Sequence, residues 1–426
     1  MRGSFSFVVC MLLSACGGNG APAGPTGNAV SVTGANASPA PSPVTAPTAA
    51  GPLPSATPSS APTSAAPAAV TVPAGFTVGV VARVAGAHGL AFLPNGDLLA
   101  GTGGSTLALV PQADGNAGLP HTFVSFPDSP SYGVAFANGS VYAATQHALW
   151  RLPYRAGDQT AASSTQISAF RQGPVAPNSD GDVHRSASVA VAGPFLFIGI
   201  GSSCNACTEV DPTRATVQRA NLDGSGMTTY ATRFRNALAL ALNPATGTLW
   251  AGGAGQDALP AGHPYEFFDS LTLHPPGADY GWPDCEENQH AYTAGANCGS
   301  TVAPRIELPA YSTLMGAAFY PLAQSGAYAF PAAYRGGVFI AAHGSWHRLN
   351  GHLVPPRVAY VPLAGDTPQT SVNWSNPSAQ WTDFLAGFQD ASDNRVGRPS
   401  GVAVGPAGSL FVSDDQSGNI YRIRPS

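Results

Sequence analysis

Residues 89–100 read GLAFLPNGDLLA, which is a short apolar run, a turn and a second apolar run. The turn contains the Asn-Gly pair that is typical of a tight hairpin between two strands. Phrases of the same kind recur five more times: GVAFANGSVYA at 133–143, SVAVAGPFLFI at 188–198, LALNPATGTLW at 240–250, AAFYP with GVFIA at 317–321 and 337–341, and GVAVGPAGSLFV at 401–412. Six hairpins at long, uneven spacing indicate a radial array.

Self-similarity at a period of roughly 40 to 50 residues, with short strands in each unit, is typical of a β-propeller. The chain has 50 glycines, 40 prolines and 44% apolar residues, as expected of a turn-rich all-β protein with ample core. We therefore predict an all-β fold, a six-bladed β-propeller of four-stranded antiparallel blades. The spacing widens around the fifth repeat, which predicts inserted loops there.

The charge pattern argues against nucleic acid as a partner. The net charge is only -5, and the sequence contains no basic stretch interleaved with aromatic residues. We therefore expect no nucleic acid as a partner.

The N-terminus is typical of a bacterial lipoprotein. Arg2 precedes an apolar run at residues 5–13 that is too short to span a bilayer, and LSAC at 13–16 looks like a lipobox. Cys16 would then be the lipidated first residue, anchoring the protein in the cell envelope. Because Gly17 follows rather than aspartate, we expect the outer membrane, facing the periplasm or the surface. An ordinary cleavable signal with an incidental cysteine is the alternative.

The chain divides into three parts by composition. We expect a signal peptide at residues 1–16, a disordered tether rich in Ala, Pro, Ser and Thr at 17–70, and the propeller at 71–426. The run from Phe76 reads as a strand that completes the last blade beside the chain near Asn419. Such a closure would remove the free sheet edges.

Four cysteines remain after the signal peptide with Cys10 and the lipidated Cys16 are set aside. An even number in an oxidising compartment predicts two disulfides, and local pairing of Cys204 with Cys207 and of Cys285 with Cys298 is the simplest choice. Thr208 stands where a c-type haem motif requires histidine. A four-cysteine zinc site would suit the ligand type but not the compartment.

Polar residues cluster where the topology places one rim of the propeller. Adjacent strands of a blade are antiparallel, so the start of each inner strand and the end of its neighbour lie at the same end of the axis. Ahead of the inner strands stand His88, Tyr132, His184, Arg235, Asn236, Arg398 and Ser400, and after the second strands come Ser202, the stretch 252–257, His343, Trp346, Asp414 and Asp415. A central pocket with convergent histidine and arginine is the expected site.

An ordered series of motifs runs through this rim: GDVH at 181–184, GSSCNAC at 201–207, FRN at 234–236, DYGWP at 279–283, YRGGVF at 334–339, HGSW at 343–346 and GRPSGV at 397–402. In this order the series resembles the glucose/sorbosone dehydrogenase family, and the likeness covers roughly Phe76 to Ile423. The family's members are six-bladed propellers that use pyrroloquinoline quinone (PQQ) with calcium. The resemblance implies an oxidoreductase that acts on a sugar, a sugar aldehyde or an alcohol.

The resemblance assigns roles to five residues. His184 takes the place of the general base, and Arg235 with Asn236 faces the quinone carbonyl oxygens, where negative charge develops. Arg398 faces the cofactor, whose three carboxylates suit a guanidinium. His343 lies where related glucose enzymes place a lysine. Each also has an ordinary structural alternative, such as a hydrogen-bonded strand-end histidine or a rim arginine paired with Asp393.

The implied calcium site and the substrate depart from the glucose enzymes. Main-chain carbonyls of Gly253, Ala254 and Gly255 would hold the calcium, although this stretch lacks the acidic residue or histidine that relatives carry. Ser202 replaces an aspartate and Ser400 replaces a second arginine, so a sorbosone-like aldehyde, or another sugar or alcohol, fits better than glucose. Asp414 and Asp415 suit calcium by ligand type or simply accept hydrogen bonds in a turn.

Three functions follow from this pattern. The first is a quinone-dependent dehydrogenase that passes electrons to a separate acceptor, because the chain carries no haem motif. The second is a non-catalytic, surface-tethered propeller that binds a carbohydrate or a protein on the same rim. A calcium-dependent hydrolase or lactonase is the third.

Overall fold

Six antiparallel sheets surround a central axis in the computed structural model. The structure describes residues 63–426 apart from 178, 180, 260–264, 286, 287 and 350. Each sheet is built on four strands, and the innermost strands of consecutive sheets are neighbours around a closed ring. The predicted six-bladed β-propeller is therefore confirmed. Cys16, the expected signal peptide and most of the expected tether lie outside the described residues.

The blades are numbered in chain order of their inner strands, and each is given from the axis outward. Blade 1 is Ala87–Phe92, Leu98–Thr102, Thr106–Val110 and His121–Ser125; blade 2 is Gly133–Ala137, Ser140–Ala144, Ala148–Pro153 and Thr165–Ala169; blade 3 is Ala187–Ala192, Phe195–Ile200, Thr216–Asn221 and Thr228–Thr232, extended by Ala278–Asp279. Blade 4 is Ala237–Leu242, Leu249–Gly253, Glu266–Asp269 and Ile306–Leu308; blade 5 is Leu314–Phe319, Val338–Ala342, Arg357–Val361 and Thr382–Leu385; blade 6 is Pro399–Val404, Leu410–Asp414, Asn419–Pro425 and Phe76–Arg83, extended by Ser64–Ala65.

Short elements decorate the connections of blades 4 and 5, where the sequence predicts inserted loops. Two hairpins pair Arg348–Leu349 with His352–Leu353 and Leu363–Ala364 with Thr367–Pro368. Three single-turn 3₁₀ helices span Leu271–Leu273, Ala332–Tyr334 and Pro377–Gln380. In the described part of the chain, none of these helices is long and apolar enough to cross a membrane.

The first and last strands of the propeller close the ring together. Phe76–Arg83 pairs antiparallel with Asn419–Pro425, with Val80 opposite Tyr421. The predicted closure is therefore confirmed, and it leaves no blade without its outer strand. The ordered domain also begins earlier than residue 71, because Ser64–Ala65 pairs with this strand and Val70 is buried against it.

The hydrophobic core lies between the blades rather than within one layer. Each of the six large apolar clusters joins side chains from two neighbouring blades. Trp250 of blade 4 is fully buried against Phe319 of blade 5, and its indole N–H donates to Asp366 at 2.9 Å. Burial of one such side chain contributes about 2 to 3 kcal/mol, so the blade contacts hold the ring rigid around the axis.

Both predicted disulfides are present. Cys204 bonds Cys207 in the turn after the second strand of blade 3, and Cys285 bonds Cys298 in the loop inserted into blade 4. The first of these disulfides joins the two cysteines of the one potential metal-binding cluster found in the described residues, Cys204, Cys207 and Glu209, so their sulfurs are not available as thiolate ligands.

Candidate active site

A cavity of about 790 Å³ opens on the axis at the end where the inner strands begin. It brings together residues that the sequence places on this rim: His88, Tyr132, His184, Arg235, Asn236, Ala254, Gly255, His343, Trp346, Arg398 and Asp415. Most of the predicted site residues, drawn from all six blades, therefore share one pocket. Gly253 lines a smaller pocket beside it, together with Arg235 and Ala254.

His184 precedes the inner strand of blade 3, and its hydrogen bonds define its tautomer. The ring Nδ1 lies 3.1 Å from the main-chain oxygen of Ser202 and 2.9 Å from its Oγ. Because a carbonyl oxygen can only accept, Nδ1 carries the proton and donates it. In the neutral ring, Nε2 is then the unprotonated nitrogen. This is the state that a general base requires.

The surroundings of His184 keep its ring neutral. Burial, followed by the positive charge of Arg235, lowers the pKa of His184 well below 6.5, and Arg171 lowers it further. The main-chain oxygen of Ser202 acts in the opposite direction and does not reverse the shift. The imidazole is therefore uncharged at neutral pH and available to accept a proton.

A buried arginine holds the backbone that carries His184. The guanidinium of Arg171 donates to the main-chain oxygens of three consecutive residues: His184 at 2.7 Å, Arg185 at 2.5 Å and Ser186 at 2.6 Å. It also donates to Gln146 O at 2.9 Å. Burial lowers the pKa of Arg171 to about 10, so it stays charged at neutral pH. Arg171 therefore orders an irregular loop whose carbonyls have no ladder partners.

Arg235 and Asn236 precede the inner strand of blade 4 and are both buried. The Arg235 guanidinium donates to Asn205 through Nε and Nη2, to Ala254 O through Nη1 at 3.3 Å, and to Asp257 at 3.2 Å. The Oδ1 atom of Asn236 is buried and has no hydrogen-bond partner among the described residues. An unsatisfied buried amide beside a fixed cation is suited to a polar ligand.

Gly253 allows the second strand of blade 4 to approach this pair closely. A Cβ atom at Gly253 would lie 1.8 Å from the main-chain oxygen of Asn236, which no side chain tolerates. The main-chain N–H of Ala254 donates to the same oxygen at 3.2 Å. Gly253 and Ala254 therefore fix the position of the Asn236 main chain at the end of this strand.

Glu266 supplies a carboxyl group next to Ala254 and Gly255 on the cavity wall. Burial raises its pKa to about 8, although main-chain N–H groups of Gly255 and Thr313 donate to it. A buried carboxylate is a ligand that a hard divalent cation prefers, and the charge of the ion would offset the cost of ionising the group. Glu266 therefore fits the calcium ion that the family resemblance implies, whereas Ala254 O already accepts from Arg235.

Arg398, ahead of the inner strand of blade 6, lines the same cavity two blades away from Glu266. Its guanidinium donates to His343 O and Gly344 O, both at 3.1 Å, and lies 4.1 Å from the ring centre of Trp346. Burial lowers the pKa of Arg398 to about 10. Nη1 has no hydrogen-bond partner among the described residues, and Asp393 pairs with Arg348 instead. The wall therefore fits a ligand carboxylate, such as those of the implied cofactor.

Asp415 of blade 6 joins two histidines from the flanking blades 1 and 5. Its carboxylate lies 2.7 Å from Nε2 of His343 and 3.2 Å from Nε2 of His88. These contacts hold the pKa of Asp415 far below its usual range, and burial lowers the pKa of His343 to about 4. His343 is therefore a neutral hydrogen-bonding group here, unlike a lysine. His88 contacts Ser400 Oγ at 2.6 Å and packs on the Tyr132 ring.

The two turn aspartates of blade 6 have different tasks. Asp414 accepts hydrogen bonds from the main-chain N–H groups of Arg398, Gln416 and Ser417 through Oδ1, as a turn aspartate does. Asp415 instead faces the cavity and its histidines.

Sequence reasoning did not single out Arg171, Asn205 or Glu266 as site residues, and it included Asp257 only as the end of the stretch 252–257. Glu266 begins the four-residue strand EFFD, which belongs to none of the quoted motifs. Arg171 lies in the same connection as the loop it holds, 13 to 15 residues before its three acceptors, and belongs to no quoted motif either. Asn205 lies within the quoted cysteine motif, so its position between two paired cysteines was the available signal.

Two family models match this chain, and both matches include residues that line the cavity. Residues 174–349 match the family model described as Glucose / Sorbosone dehydrogenase, and residues 282–426 match the TrAA12-like model. The family resemblance predicted from the motifs is confirmed over residues 174–349, a shorter span than the motifs indicated. His184, Arg235, Asn236 and His343 all lie within the first match, and Arg398 lies within the second.

Several solved structures share this fold. The holo form of the pyranose dehydrogenase PQQ domain from Coprinopsis cinerea has a TM-score of 0.68, 18% identity, and covers 83% of this chain and 97% of its own. The calcium structure of the Trichoderma reesei family AA12 enzyme has a TM-score of 0.67 and 16% identity, covering 84% and 97%. The PQQ-bound aldose sugar dehydrogenase from Streptomyces coelicolor has a TM-score of 0.52 and 19% identity, covering 83% and 99%. At these identities the likenesses show the fold.

One curated relative also aligns. A protein of Borreliella burgdorferi, named as uncharacterized, is 26% identical over 231 residues. The alignment covers 54% of this chain and 56% of that protein, so the chain spans about half the length of the curated relative it matches.

Proposed function

We propose that the protein is a PQQ-dependent dehydrogenase that oxidises a sugar, a sorbosone-like sugar aldehyde or an alcohol. The observation that carries the proposal is the tautomer of His184, because the Ser202 carbonyl leaves Nε2 as an acceptor on a cavity lined by Arg235 and Asn236. The family match and the named activities of the structural neighbours support it.

The chain's own residues divide the work of the reaction. His184 Nε2 accepts the proton of the substrate hydroxyl, or of a hydroxyl of the hydrate when the substrate is an aldehyde, while the Nδ1–H bond to Ser202 holds the ring in place and stabilises the cation that forms. When bound, the quinone would accept the hydride from the carbon that carries this hydroxyl. Arg235 provides a fixed positive charge for the negative charge that develops on the acceptor. Proton and hydride together account for the two electrons removed from the substrate.

Two walls of the cavity would hold the cofactor. Arg398 and its unpartnered Nη1 fit a carboxylate, and the buried Asn236 amide fits a polar edge. His343, made neutral by burial, would contribute a hydrogen bond rather than a charge. Electrons would then pass to a separate acceptor.

A cofactor titration tests this proposal. Purified protein with calcium should bind PQQ stoichiometrically, as followed by absorbance, and should then reduce a dye with members of a panel of sugars, aldehydes and alcohols. R398A should weaken PQQ binding roughly tenfold or more, because it removes a charge-assisted contact. Absence of stoichiometric binding by the wild type would overturn the proposal.

Calcium should stabilise the protein through Glu266. At a free concentration a hundredfold above its dissociation constant, a bound ion adds about 3 kcal/mol to the free energy of unfolding, which raises Tm by several degrees. E266Q should lose this response, whereas the exposed carboxylate variant D223N should keep it. Calorimetry that shows equal calcium shifts in E266Q and wild type would remove Glu266 from the site.

A second function has one observation in its favour. Trp346 is 75% exposed at the mouth of the cavity, and an aromatic face there suits a carbohydrate ring. A non-catalytic propeller that binds a carbohydrate on this rim would show sugar binding by calorimetry without cofactor binding or dye reduction.

We also propose that lipid on Cys16 anchors the protein to the outer membrane. The lipobox pattern at residues 13–16 supports this proposal. Mass spectrometry of the mature N-terminal peptide should show an acylated Cys16, and an unmodified N-terminus would refute it.

A further inference from the structure

The turn closed by Cys204 and Cys207 lies between the two residues that matter most in the proposed reaction. It follows the second strand of blade 3, and Cys204 is buried while Cys207 is half-buried. We refer to residues 202–207 as the disulfide turn. Its contacts extend in two directions, to His184 and to Arg235.

Asn205, inside the disulfide turn, holds the Arg235 guanidinium at two points. Its main-chain oxygen accepts from Arg235 Nε at 3.0 Å, and its Oδ1 accepts from Nη2 at 2.8 Å. A guanidinium is a rigid fork of donors, so a two-point contact fixes both its position and its plane.

Asn205 also holds the counter-ion of Arg235. Asn205 Oδ1 accepts from the main-chain N–H of Asp257 at 2.9 Å, and Nδ2 donates to Asp257 O at 3.1 Å. The Asp257 carboxylate lies 3.2 Å from Arg235 Nη2. The indole N–H of Trp282 donates to Asn205 O at 3.0 Å and supports the same atom that receives Nε. The side chain and the main-chain carbonyl of Asn205 therefore hold the Arg235–Asp257 ion pair in place.

The other end of the disulfide turn reaches the base. Ser202 O accepts from His184 Nδ1, and Ser202 Oγ donates to Cys204 O at 2.7 Å. Ser202 and Asn205 are thus separated by two residues, one of which is a disulfide cysteine. A displacement of this short segment would change the placement of His184 and of Arg235 together.

We propose that Asn205 is a positioning residue for Arg235, and that the Cys204–Cys207 disulfide fixes Arg235 relative to His184. The catalytic meaning of this arrangement rests on the proposed function, whereas the positioning itself is a property of the protein without cofactor. Asn205 is expected to touch neither the substrate nor the reacting atoms.

The positioning can be measured directly on the protein without cofactor. The chain has 18 arginines and no lysine. Arginine-selective ¹⁵N labelling therefore gives at most 18 Nε–H signals. In N205A the bond from Arg235 Nη2 to the side-chain Oδ1 is lost, and the bond from Nε to the main-chain oxygen is loosened. The Arg235 Nε–H should therefore exchange with solvent roughly ten- to a hundredfold faster. N205D retains an acceptor for Nη2 and should recover part of the protection.

Controls separate a local effect from a general one. N221A removes an exposed asparagine from another turn of blade 3 and should leave the Arg235 signal unchanged. Unchanged Arg235 exchange in a folded N205A protein would overturn the role of Asn205. Should N205A fail to fold, the same comparison between N205D and wild type decides, because loss of the Nδ2–H bond to Asp257 still predicts faster exchange.

The disulfide is tested by a matched pair of double variants. C204S/C207S should lower kcat roughly tenfold or more with little change in KM for the sugar, and should alter the NMR signals of His184 and Arg235 without cofactor. C285S/C298S removes the other disulfide, whose cysteines form no hydrogen bond with His184 or Arg235 in the described structure, and should leave both signals in place. Equal effects of the two double variants on these signals would refute the proposal.

These measurements separate the positioning role of Asn205 from the proposed function. If the wild type binds no PQQ but N205A still speeds the solvent exchange of Arg235 Nε–H, the proposed function fails and the positioning role stands. If wild type turns over sugar and N205A changes neither Arg235 exchange nor kcat, the positioning role fails alone.

Discussion

At the scale of single residues, the protonation state of His184 depends in part on Ser202 and Arg171, which do not line the cavity. Ser202 selects the tautomer through its carbonyl, and Arg171 fixes the loop through three carbonyls. Burial and two arginines lower the pKa of His184 in the same direction. A base that is neutral well below pH 6.5 works over a wide pH range.

Removing the Arg171 charge should make His184 easier to protonate. In R171Q the pKa of His184 should rise towards 6.5, because a nearby positive charge is lost and the loop loosens around water. R171K keeps the charge but cannot donate to three carbonyls, so it should loosen the loop with a smaller pKa change. Titration of the His184 ring by NMR checks both variants, and an unchanged pKa in folded R171Q would show that the arginine does not act on the base.

At the scale of strands, the site depends on how closely blade 4 packs its first two strands. Ala237 lies opposite Gly253 in the ladder, and the adjoining Asn236 main chain faces the same glycine. The glycine is therefore a packing requirement of the sheet as well as part of the expected metal stretch.

G253A should destabilise the protein and displace Asn236. The added methyl would sit 1.8 Å from Asn236 O, so the strands must separate, at a cost of about 2 kcal/mol. The matched control is G299A in the inserted loop, where the nearest atom would be 3.7 Å away. Urea unfolding should show the loss for G253A and little change for G299A; equal midpoints would contradict the packing argument.

At the scale of the whole molecule, ring closure joins the two ends of the folded chain. The outer strand of blade 6 comes from residues 76–83, and the rest of the blade comes from the last 30 or so residues. Arg398 and Asp415 belong to this blade, so the site depends on the closure.

A charge in the closing strand should open the ring. V80D places a carboxylate at a position that is 3% exposed and opposite Tyr421, at a cost of about 3 kcal/mol or more. T77D alters an exposed position of the same strand and should be close to neutral. Thermal unfolding checks the pair, and a wild-type Tm for V80D would show that the closure contributes little.

The ring and most of its site could be predicted from sequence, for different reasons. Repeated hairpins report strand direction, which places His184, Arg235 and Arg398 on one rim without any knowledge of contacts. The contacts of Asp415 could not be predicted, because its partners His88 and His343 lie in blades 1 and 5, far from it in the sequence. The same holds for Arg171, whose acceptors are main-chain atoms with no sequence signature.

The central claim is that His184 removes the substrate proton, and single-turnover reduction of the bound quinone by a sugar tests it most directly. The account predicts that H184A binds PQQ as wild type does but reduces it roughly a hundred- to ten-thousandfold more slowly. It also predicts a wild-type rate that is level above pH 6.5 and falls only under more acidic conditions, as the ring becomes protonated. An H184A rate equal to that of wild type, with PQQ bound, would contradict the account.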